Sequence, residues 1–291
     1  MMTKYQRRKA VSFMLAVTCA IVALSGFGQN SFAEETDFPR GESVDVKVMS
    51  YNIHHGEGTD RVLDLERIAQ VIENSEADII GLQEVDNHWS SRSNFEDQAN
   101  TLAKRLGMFY VYGANLDNAP LIEGEPRSQY GTAILSKYPI LDSENHKLTK
   151  IGNTEQRGLL DATINVKGNQ VHFYNTHLAL TSAEREIQIR EVNELAGQVK
   201  GPKIIMGDLN AKPESPEMQL MISNYSDAFA DQPAAYTYSS INPTVRIDYI
   251  FTTDNIETVN AEVIQTLASD HLPVTAVIKL ERNEPFNNGQ K

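Results

Sequence analysis

Several apolar runs of the sequence end in a carboxylate, an amide or an imidazole side chain. VKVMSYN reaches Asn52, ADIIGLQE reaches Glu84, VHFYNTH reaches His177, and KIIMGD reaches Asp208. Apolar runs of this length that alternate or contain many β-branched residues indicate buried or half-buried strands. Ligands of sheet proteins bind beyond the ends of strands, so the pattern places candidate chemistry at one edge of a sheet.

Strands outnumber helices in the predicted secondary structure. The predicted strands cover residues 46–53, 78–84, 109–113, 130–136, 158–166, 169–177, 202–207, 246–252, 257–266 and 273–280. The predicted helices cover residues 64–74, 95–106, 183–199 and 215–224. The stretch NVKGNQVHFYNTH predicts a hairpin that turns at Gly168 and Asn169, and Ser182 is a predicted cap of the third helix. This balance favours an α/β fold of two stacked sheets flanked by helices over a repeated βαβ unit.

The first 33 residues differ from the rest of the chain. Four basic residues lie between Lys4 and Lys9, an apolar run follows over 10–24, and Ser31-Phe32-Ala33 offers small residues for cleavage. This order is typical of a secretory signal peptide, and it predicts a secreted or periplasmic protein. The alternative is an uncleaved N-terminal membrane anchor, because about 18 apolar residues can span a bilayer.

The remaining chain shows no repeat, low-complexity tract or Pro/Ser-rich linker. We therefore predict an N-terminal extension over 34–45, a single catalytic domain over 46–281, and a C-terminal tail over 282–291. Without residues 1–33 the chain has no cysteine, so its stability does not depend on disulfides. A domain of this length buries enough surface to fold without them.

The charge of the mature chain limits its partners. Residues 1–33 contain four basic and no acidic residues, so 22 Lys and Arg remain against 39 Asp and Glu, a net charge of −17. This balance disfavours a protein that coats nucleic acid, whose affinity depends on many contacts between basic side chains and phosphates. The negative net charge is compatible with an enzyme that contacts only one or two phosphates. It also favours a bound divalent cation, which supplies positive charge locally.

Each polar residue at a strand end has an ordinary structural explanation when taken alone. Asn52 is compatible with a turn, His177 with a half-buried imidazole, and the GDLN stretch of Asp208 and Asn210 with a loop. Asp248 differs, because a carboxylate among the apolar residues of VRIDYIF needs a partner. Together, carboxylates and amides suit Mg²⁺ or Mn²⁺, and histidines beside carboxylates suit phosphate binding and proton transfer. The set predicts metal-assisted hydrolysis of a phosphoester.

Seven sequence blocks resemble those of the endonuclease/exonuclease/phosphatase superfamily. In chain order they are SYNIHHG, IIGLQEVD, YGTAILSKYP, YNTHLAL, IMGDLNAKP, RIDYIF and SDHLPV. The resemblance covers residues 46–280, and the order of the blocks is more specific than any single block. It implies a four-layer α/β/β/α sandwich of two mixed, mostly antiparallel sheets, and a hydrolase that acts on phosphoester bonds.

The resemblance also implies a metal site. Glu84 is the expected principal ligand of Mg²⁺ or Mn²⁺, with Asn52 beside it and Asp270 in the same acidic cluster. The metal acts as a Lewis acid on the phosphoryl oxygen and stabilises the leaving group. His54 and His55 follow Asn52 closely enough to line the site, although HHG is equally compatible with an ordinary loop.

The remaining implied roles concern water and phosphate. Asp208 is expected to orient or deprotonate the attacking water, and Asn210 to bind a non-bridging phosphate oxygen. His271 is expected to donate to the phosphate as its charge grows, with Asp248 holding His271 in one tautomer and favouring its charged form. His177 is a second imidazole that faces the phosphate.

Four further residues are weaker candidates for the phosphate and substrate site. Tyr130 of YGTAILS is expected to hydrogen-bond the phosphate, or else to be a core aromatic residue with its hydroxyl at the rim. Arg157 of EQRGLL is expected to clamp phosphate through its guanidinium, or else to be a solvated hairpin residue. Trp89 and Arg92 follow the Glu84 block and suit recognition of a head group or sugar, or packing on a loop.

The sequence leaves the substrate open. Nucleic acid, a lipid head group and a sugar or inositol phosphate all remain, because one fold hosts many substrates. A sphingomyelinase-like enzyme makes transient membrane contact, but the candidate loops 113–129 and 233–243 carry no convincing apolar wedge. An inactive binding module on the same scaffold is the alternative of another class, and the presence of every expected site residue argues against it. We expect a monomer.

Overall fold

The structure is a computed structural model that describes residues 43–120 and 122–281. The predicted signal peptide (1–33), most of the predicted extension and the predicted tail (282–291) lie outside these residues. The described chain contains two six-stranded sheets. Within this part of the chain, no helix is long and apolar enough to span a membrane.

The first sheet has the strand order β11-β12-β1-β2-β4-β3. Its strands are β1 (Val44–Asn52), β2 (Ile79–Asn87), β3 (Phe109–Asn118), β4 (Ser128–Ser136), β11 (Glu257–Val263) and β12 (Val274–Leu280).

The second sheet has the order β5-β6-β7-β8-β10-β9. Its strands are β5 (Ile140–Lys147), β6 (Gly158–Val166), β7 (Asn169–His177), β8 (Lys203–Asp208), β9 (Ser226–Asp227) and β10 (Asp248–Thr252). The pairs β1–β2 and β7–β8 are parallel and the other pairs are antiparallel.

Four helices cover the outer faces of the two sheets. They are α1 (Leu65–Ser75), α2 (Gln98–Leu106), α3 (Ser182–Gln198) and α4 (Pro216–Ile222). The side chains of Asp64 and Asp97 accept hydrogen bonds from backbone N–H groups in the first turns of α1 and α2, which caps those helices.

Apolar side chains alternate between an inner and an outer core along the strands. Val46 and Val48 of β1 face the second sheet and pack in the central core with Phe173 of β7. Met49 and Tyr51 of β1 face the other way, into a core with α1 and α2. A third core joins α3 and α4 to the outer face of the second sheet. The predicted four-layer α/β/β/α sandwich is therefore confirmed.

The structure differs from the predicted elements at several points. The edge strand β5 was not predicted because most of its residues are exposed, so it lacks apolar alternation. The two-residue strand β9 was also not predicted. The hairpin between β6 and β7 turns at Lys167 and Gly168, whose φ values of 49° and 96° fit a two-residue turn, one position before the prediction. Thr181 is the N-cap residue of α3, and Ser182 instead donates a hydrogen bond to Glu217.

The topology brings the ends of six strands to one edge of the sandwich. The parallel pairs β1–β2 and β7–β8 end there. The strands β10 and β12 run antiparallel to their neighbours, so they begin there, as the pairing of Asp248 with Asp208 shows. Polar residues that are far apart in sequence meet at this edge.

The contact between α3 and α4 yields a stability prediction. The buried carboxylate of Glu217 accepts hydrogen bonds from Arg185 Nε at 2.9 Å and Ser182 Oγ at 3.1 Å. Burial raises the pKa of Glu217, but these bonds and those from the backbone outweigh it, so its pKa lies below 4.5. Glu217→Gln leaves the half-buried Arg185 without its carboxylate partner, and we expect the free energy of unfolding near pH 7 to fall by roughly 2 kcal/mol.

A lowered pKa contributes stability above the pKa of the unfolded state and loses it as the pH falls. The difference between wild type and Glu217→Gln should therefore shrink as denaturation is measured at successively lower pH, below about 4.5. Glu186→Gln on the exposed face of α3, where Glu186 lies 3.9 Å from Arg190, is the matched control and should cost less than about 0.5 kcal/mol. A difference independent of pH would contradict the assigned role of the carboxylate.

Candidate active site

Asp208 lies at the centre of the edge where the strand ends meet. Its Oδ2 atom accepts a hydrogen bond from Asn52 Nδ2 at 3.1 Å. The same oxygen lies 3.4 Å from His177 Nε2 and 3.6 Å from His271 Nε2. Its Oδ1 atom accepts a hydrogen bond from the backbone N–H of Asn210 at 2.9 Å. One buried carboxylate is therefore contacted by groups from β1, from β7 and from the segment that precedes β12.

Asp248 has the partner that its apolar surroundings require. Its Oδ2 atom lies 3.0 Å from His271 Nδ1, and both side chains are buried. Burial lowers the pKa of His271, but the carboxylates of Asp248 and Asp208 outweigh burial and raise the pKa to about 10. The Tyr238 ring packs on the imidazole with its centroid 4.8 Å away. His271 is thus held as an imidazolium between two carboxylates.

His177 has the opposite electrostatic character. Burial, followed by the charges of Arg157 and His271, lowers the pKa of His177 well below 6.5. Asp208 lies between the two imidazoles, and burial raises its pKa to about 7 although the charge of His271 opposes this. The site therefore combines one charged and one neutral imidazole around a single carboxylate.

Glu84 lies within β2, not at its end. The prediction ended this strand at Glu84, but β2 continues to Asn87 through a bulge between Leu82 and Val85. Glu84 has a φ of 56°, which turns its side chain away from the regular alternation of the strand. Its Oε1 atom accepts a hydrogen bond from Asn52 Nδ2 at 3.0 Å.

A buried amide from the opposite sheet, that of Asn175, supports the bulge at Glu84. Asn175 of β7 donates hydrogen bonds of 2.8 Å from Nδ2 to the carbonyl oxygens of Leu82 and Ala133. Its Oδ1 atom accepts a hydrogen bond from Gln83 Nε2 at 2.7 Å. Each amide is fully buried, so these bonds fix the backbone on which Glu84 stands.

The residues around Glu84 fit a divalent cation. Ligand atoms of His54, His55 and Glu84 lie within 4.8 Å of one another. Among the described residues, the buried Nδ1 atom of His55 has no hydrogen-bond partner. Asp270 Oδ1 lies 4.0 Å from His54 Nδ1, so a second carboxylate borders the same group. Carboxylate oxygens suit Mg²⁺ or Mn²⁺, and the imidazoles add nitrogen donors that suit Mn²⁺ better than Mg²⁺.

Asn52 is oriented as a hydrogen-bond donor at this centre. Its Nδ2 faces Glu84 and Asp208, and its Oδ1 accepts a hydrogen bond from the backbone N–H of His54 at 3.1 Å. Coordination of a cation through Oδ1 requires a half-turn of the amide. Its predicted role as a ligand remains a prediction, as does that of Asp270.

Arg157 lies near His177, and Tyr130 lies near Glu84 and Arg157. Arg157 is buried immediately before β6, and its Nη1 lies 2.8 Å from Glu155 Oε1. Within the described residues, its buried Nε has no hydrogen-bond partner. Burial, followed by the charges of Glu84 and Glu155, raises the pKa of Tyr130, so its hydroxyl keeps its proton and can donate. Arg157 is thus not the solvated hairpin residue of the alternative reading.

Sequence reasoning missed four residues that touch or border this site. Tyr238 packs on His271, Glu155 pairs with Arg157, and Asn175 with Gln83 supports the bulge. The sequence signal for Asn175 and Gln83 was a polar residue inside an otherwise apolar strand, the signal that did identify Asp248. Tyr238 and Glu155 lie in loops and carried no periodic signal.

The sequence profile of the Endonuclease/Exonuclease/phosphatase family matches residues 49–271, and the chain belongs to this family. The uncharacterised protein YbhP of Escherichia coli is 27% identical over 260 residues, which cover 82% of this chain and 98% of YbhP. Among solved structures, an endonuclease/exonuclease/phosphatase from Beutenbergia cavernae is 26% identical with a TM-score of 0.70, covering 81% of this chain and 72% of that one. A mannosyl-6-phosphatase from Bacteroides thetaiotaomicron has a TM-score of 0.66 at 19% identity, covering 80% of this chain and 99% of that one.

Family membership confirms the resemblance and the enzyme class. The chain is a hydrolase of phosphoester bonds, and its family generally depends on divalent metal ions. The likeness to the mannosyl-6-phosphatase supports the fold alone. The roles of individual site residues stay predictions.

The support of Glu84 by Asn175 can be tested by substitution. Asn175→Ala removes the side-chain donor of the Leu82 and Ala133 carbonyls and one of the three acceptors of Gln83 Nε2, and we expect the free energy of unfolding to fall by roughly 2–3 kcal/mol. The looser bulge should also raise the metal concentration that gives half-maximal activity. Asn165→Ala, in the distant β6–β7 hairpin, is the control and should leave metal dependence unchanged. Unaltered metal dependence in Asn175→Ala would contradict the proposed coupling.

Proposed function

We propose that the chain is an exported, Mg²⁺- or Mn²⁺-dependent phosphoesterase that uses water as the nucleophile. The observation that carries the proposal is the contact of one buried carboxylate, Asp208, with Asn52, His177 and His271. A carboxylate in this position orients a water molecule, while the imidazoles beside it bind the phosphate that the water attacks.

In this mechanism Asp208 orients the attacking water and accepts its proton. Its Oδ1 is engaged by the backbone of Asn210, while Oδ2 accepts from Asn52 and faces the two imidazoles, so Oδ2 is the oxygen on the reacting side. The Asn210 amide donates one N–H to the Leu178 carbonyl at 3.0 Å and keeps the second for a phosphate oxygen. This division lets the loop after β8 hold both water and phosphate.

His271 and Arg157 stabilise the negative charge that grows on the phosphate. Asp248 keeps His271 protonated and fixes its Nδ1, so Nε2 faces the reacting group. Neutral His177 and the hydroxyl of Tyr130 add hydrogen bonds without adding charge. Preorganised donors of this kind are effective because they do not reorganise during the reaction.

Glu84 and Asp270 would hold the divalent ion, with Asn52, His54 and His55 bordering it. When bound, the ion polarises the phosphoryl oxygen and stabilises the leaving group. The chain supplies the remaining parts: a water-orienting carboxylate, a charged imidazole, and an arginine at the phosphate.

The proposal predicts large losses of activity from single substitutions. With bis-p-nitrophenyl phosphate and Mg²⁺ as the assay, Asp208→Asn and His271→Ala should each lower kcat by about 10²–10⁴-fold. EDTA should abolish activity, and added Mg²⁺ or Mn²⁺ should restore it. His146→Ala, on the edge strand β5, is the matched histidine control and should retain wild-type activity. Activity that survives both substitutions and EDTA would overturn the mechanism.

Export is a separate part of the proposal and rests on the basic and apolar pattern of residues 1–33. Expression of the full chain in a bacterial host should yield a mature protein that begins after Ala33, as judged by N-terminal sequencing and intact mass. A membrane-bound chain with an intact N-terminus would support the anchor instead.

A further inference from the structure

Three side chains beside the site form what we call the aromatic–guanidinium shelf: Trp89, Arg92 and Tyr130. The rings of Trp89 and Tyr130 have centroids 5.8 Å apart at an interplanar angle of 45°. The Arg92 Cζ atom lies 5.7 Å from the Trp89 centroid and 5.3 Å from the Tyr130 centroid. Trp89 is half-buried and the Arg92 side chain is 39% exposed, so a ligand can reach both side chains.

The shelf is rigid before any ligand binds. Arg92 donates hydrogen bonds from Nε and Nη2 to the two carboxylate oxygens of the buried Asp86, at 2.9 and 2.6 Å. The Trp89 carbonyl accepts a hydrogen bond from the hydroxyl of Ser128. The base of the loop is closed by a hydrogen bond of 3.1 Å from the His88 N–H to the Glu96 carbonyl. A preorganised surface of this kind loses little entropy on binding.

The shelf borders the proposed phosphate position. Asp86, which anchors Arg92, lies two residues after Glu84 on the same strand. Gln98 accepts a hydrogen bond from the Asp86 N–H at 2.9 Å and donates one to the His55 carbonyl at 2.6 Å, so the anchor of Arg92 is one side chain away from the metal-binding group. Tyr130 belongs to both the shelf and the phosphate side. A group esterified to the phosphate can therefore reach Trp89 and Arg92.

The electrostatics of the shelf favour an uncharged ligand. The charge of Arg92 is already matched by Asp86, and carboxylates of Glu84 and Glu155 lie nearby. A second anionic group would meet little uncompensated positive charge. In the described part of the chain Arg92 Nη1 makes no hydrogen bond, so it is available to donate to a hydroxyl. The carboxylate of Glu155 can accept a hydrogen bond from another hydroxyl.

Resting on the proposed function, we propose that the shelf recognises the alcohol part of the substrate, a neutral polyhydroxylated ring such as a sugar or cyclitol esterified to the phosphate. The Trp89 face packs against the ring carbons, and Arg92 and Glu155 bind ring hydroxyls. A nucleic-acid strand is disfavoured because single-strand binding sites combine aromatic platforms with a basic groove, and the mature chain carries a net charge of −17.

The chain contains a single tryptophan, so its fluorescence reports on the shelf directly. Asp208→Asn prevents turnover and is titrated, in the presence of Mg²⁺, with glucose 6-phosphate and with myo-inositol 1-phosphate. Methyl phosphate, free glucose and a thymidine dinucleotide are the comparison ligands. We expect a saturable change in Trp89 emission with the ring phosphates, and a much smaller change with each comparison ligand at equal concentration.

Kinetic selectivity is the second measurement. The ratio of kcat/KM for a ring phosphate to that for methyl phosphate should fall roughly fivefold in Trp89→Leu, which removes the aromatic face. It should fall roughly tenfold in Arg92→Lys, which loses the planar donors.

Because Arg92→Lys also disturbs the buried Asp86, its melting temperature is measured alongside, and Trp89→Leu supplies the result if Arg92→Lys does not fold. Phe109→Ala, an aromatic residue 53% exposed on the edge strand β3, is the matched control and should leave the ratio unchanged.

The outcomes separate this proposal from the proposed function. Hydrolysis of phosphoesters without a fluorescence response to ring phosphates, or with an equal response to the dinucleotide, overturns the shelf proposal and leaves the proposed function standing. A saturable response to ring phosphates in a protein that hydrolyses no phosphoester supports the shelf and overturns the proposed function. An unchanged selectivity ratio in Trp89→Leu also overturns the shelf proposal.

Discussion

The bifurcated contact of the Asn52 amide is the interaction on which the site depends. Its Nδ2 donates to Glu84 in the first sheet and to Asp208 in the second, at 3.0 and 3.1 Å. The two carboxylates would otherwise repel each other across the seam between the sheets. One amide therefore links Glu84, the proposed metal ligand, to Asp208, the carboxylate proposed to orient water. The sandwich must hold its two sheets in fixed register for this contact to exist.

The hydrogen bonds of Asn175 across the two sheets hold them in that register. It ties β7 to the backbone of β2 and β4 through fully buried hydrogen bonds. Apolar packing between the sheets tolerates small shifts because dispersion contacts have little directionality. Buried amide hydrogen bonds are directional, so they do not tolerate such shifts. The polar bridge thus fixes the position of the bulge, and the bulge fixes the direction of Glu84.

Much of the fold and part of the site followed from the sequence because both depend on local patterns. Strand periodicity identified ten of the twelve strands in the described part of the chain, and polar residues at strand ends pointed to Asn52, His177 and Asp208. Features set by tertiary contact could not be read in this way. The edge strand β5 lacks alternation because both faces are largely exposed, and Glu84 appeared to end a strand that in fact continues through a bulge. The pairing of Arg92 with Asp86 likewise depends on the path of a loop.

The contrast between the two histidines follows from their neighbours rather than from their burial. His177 and His271 are about equally buried, at 5% exposure each. Desolvation lowers the pKa of both, but only His271 has a carboxylate at each ring nitrogen, and those charges outweigh desolvation. Arg157 acts on His177 in the opposite direction. A protein with a large negative net charge thereby places two buried cations, His271 and Arg157, around one position, and a phosphate group matches that position in charge and in hydrogen bonding.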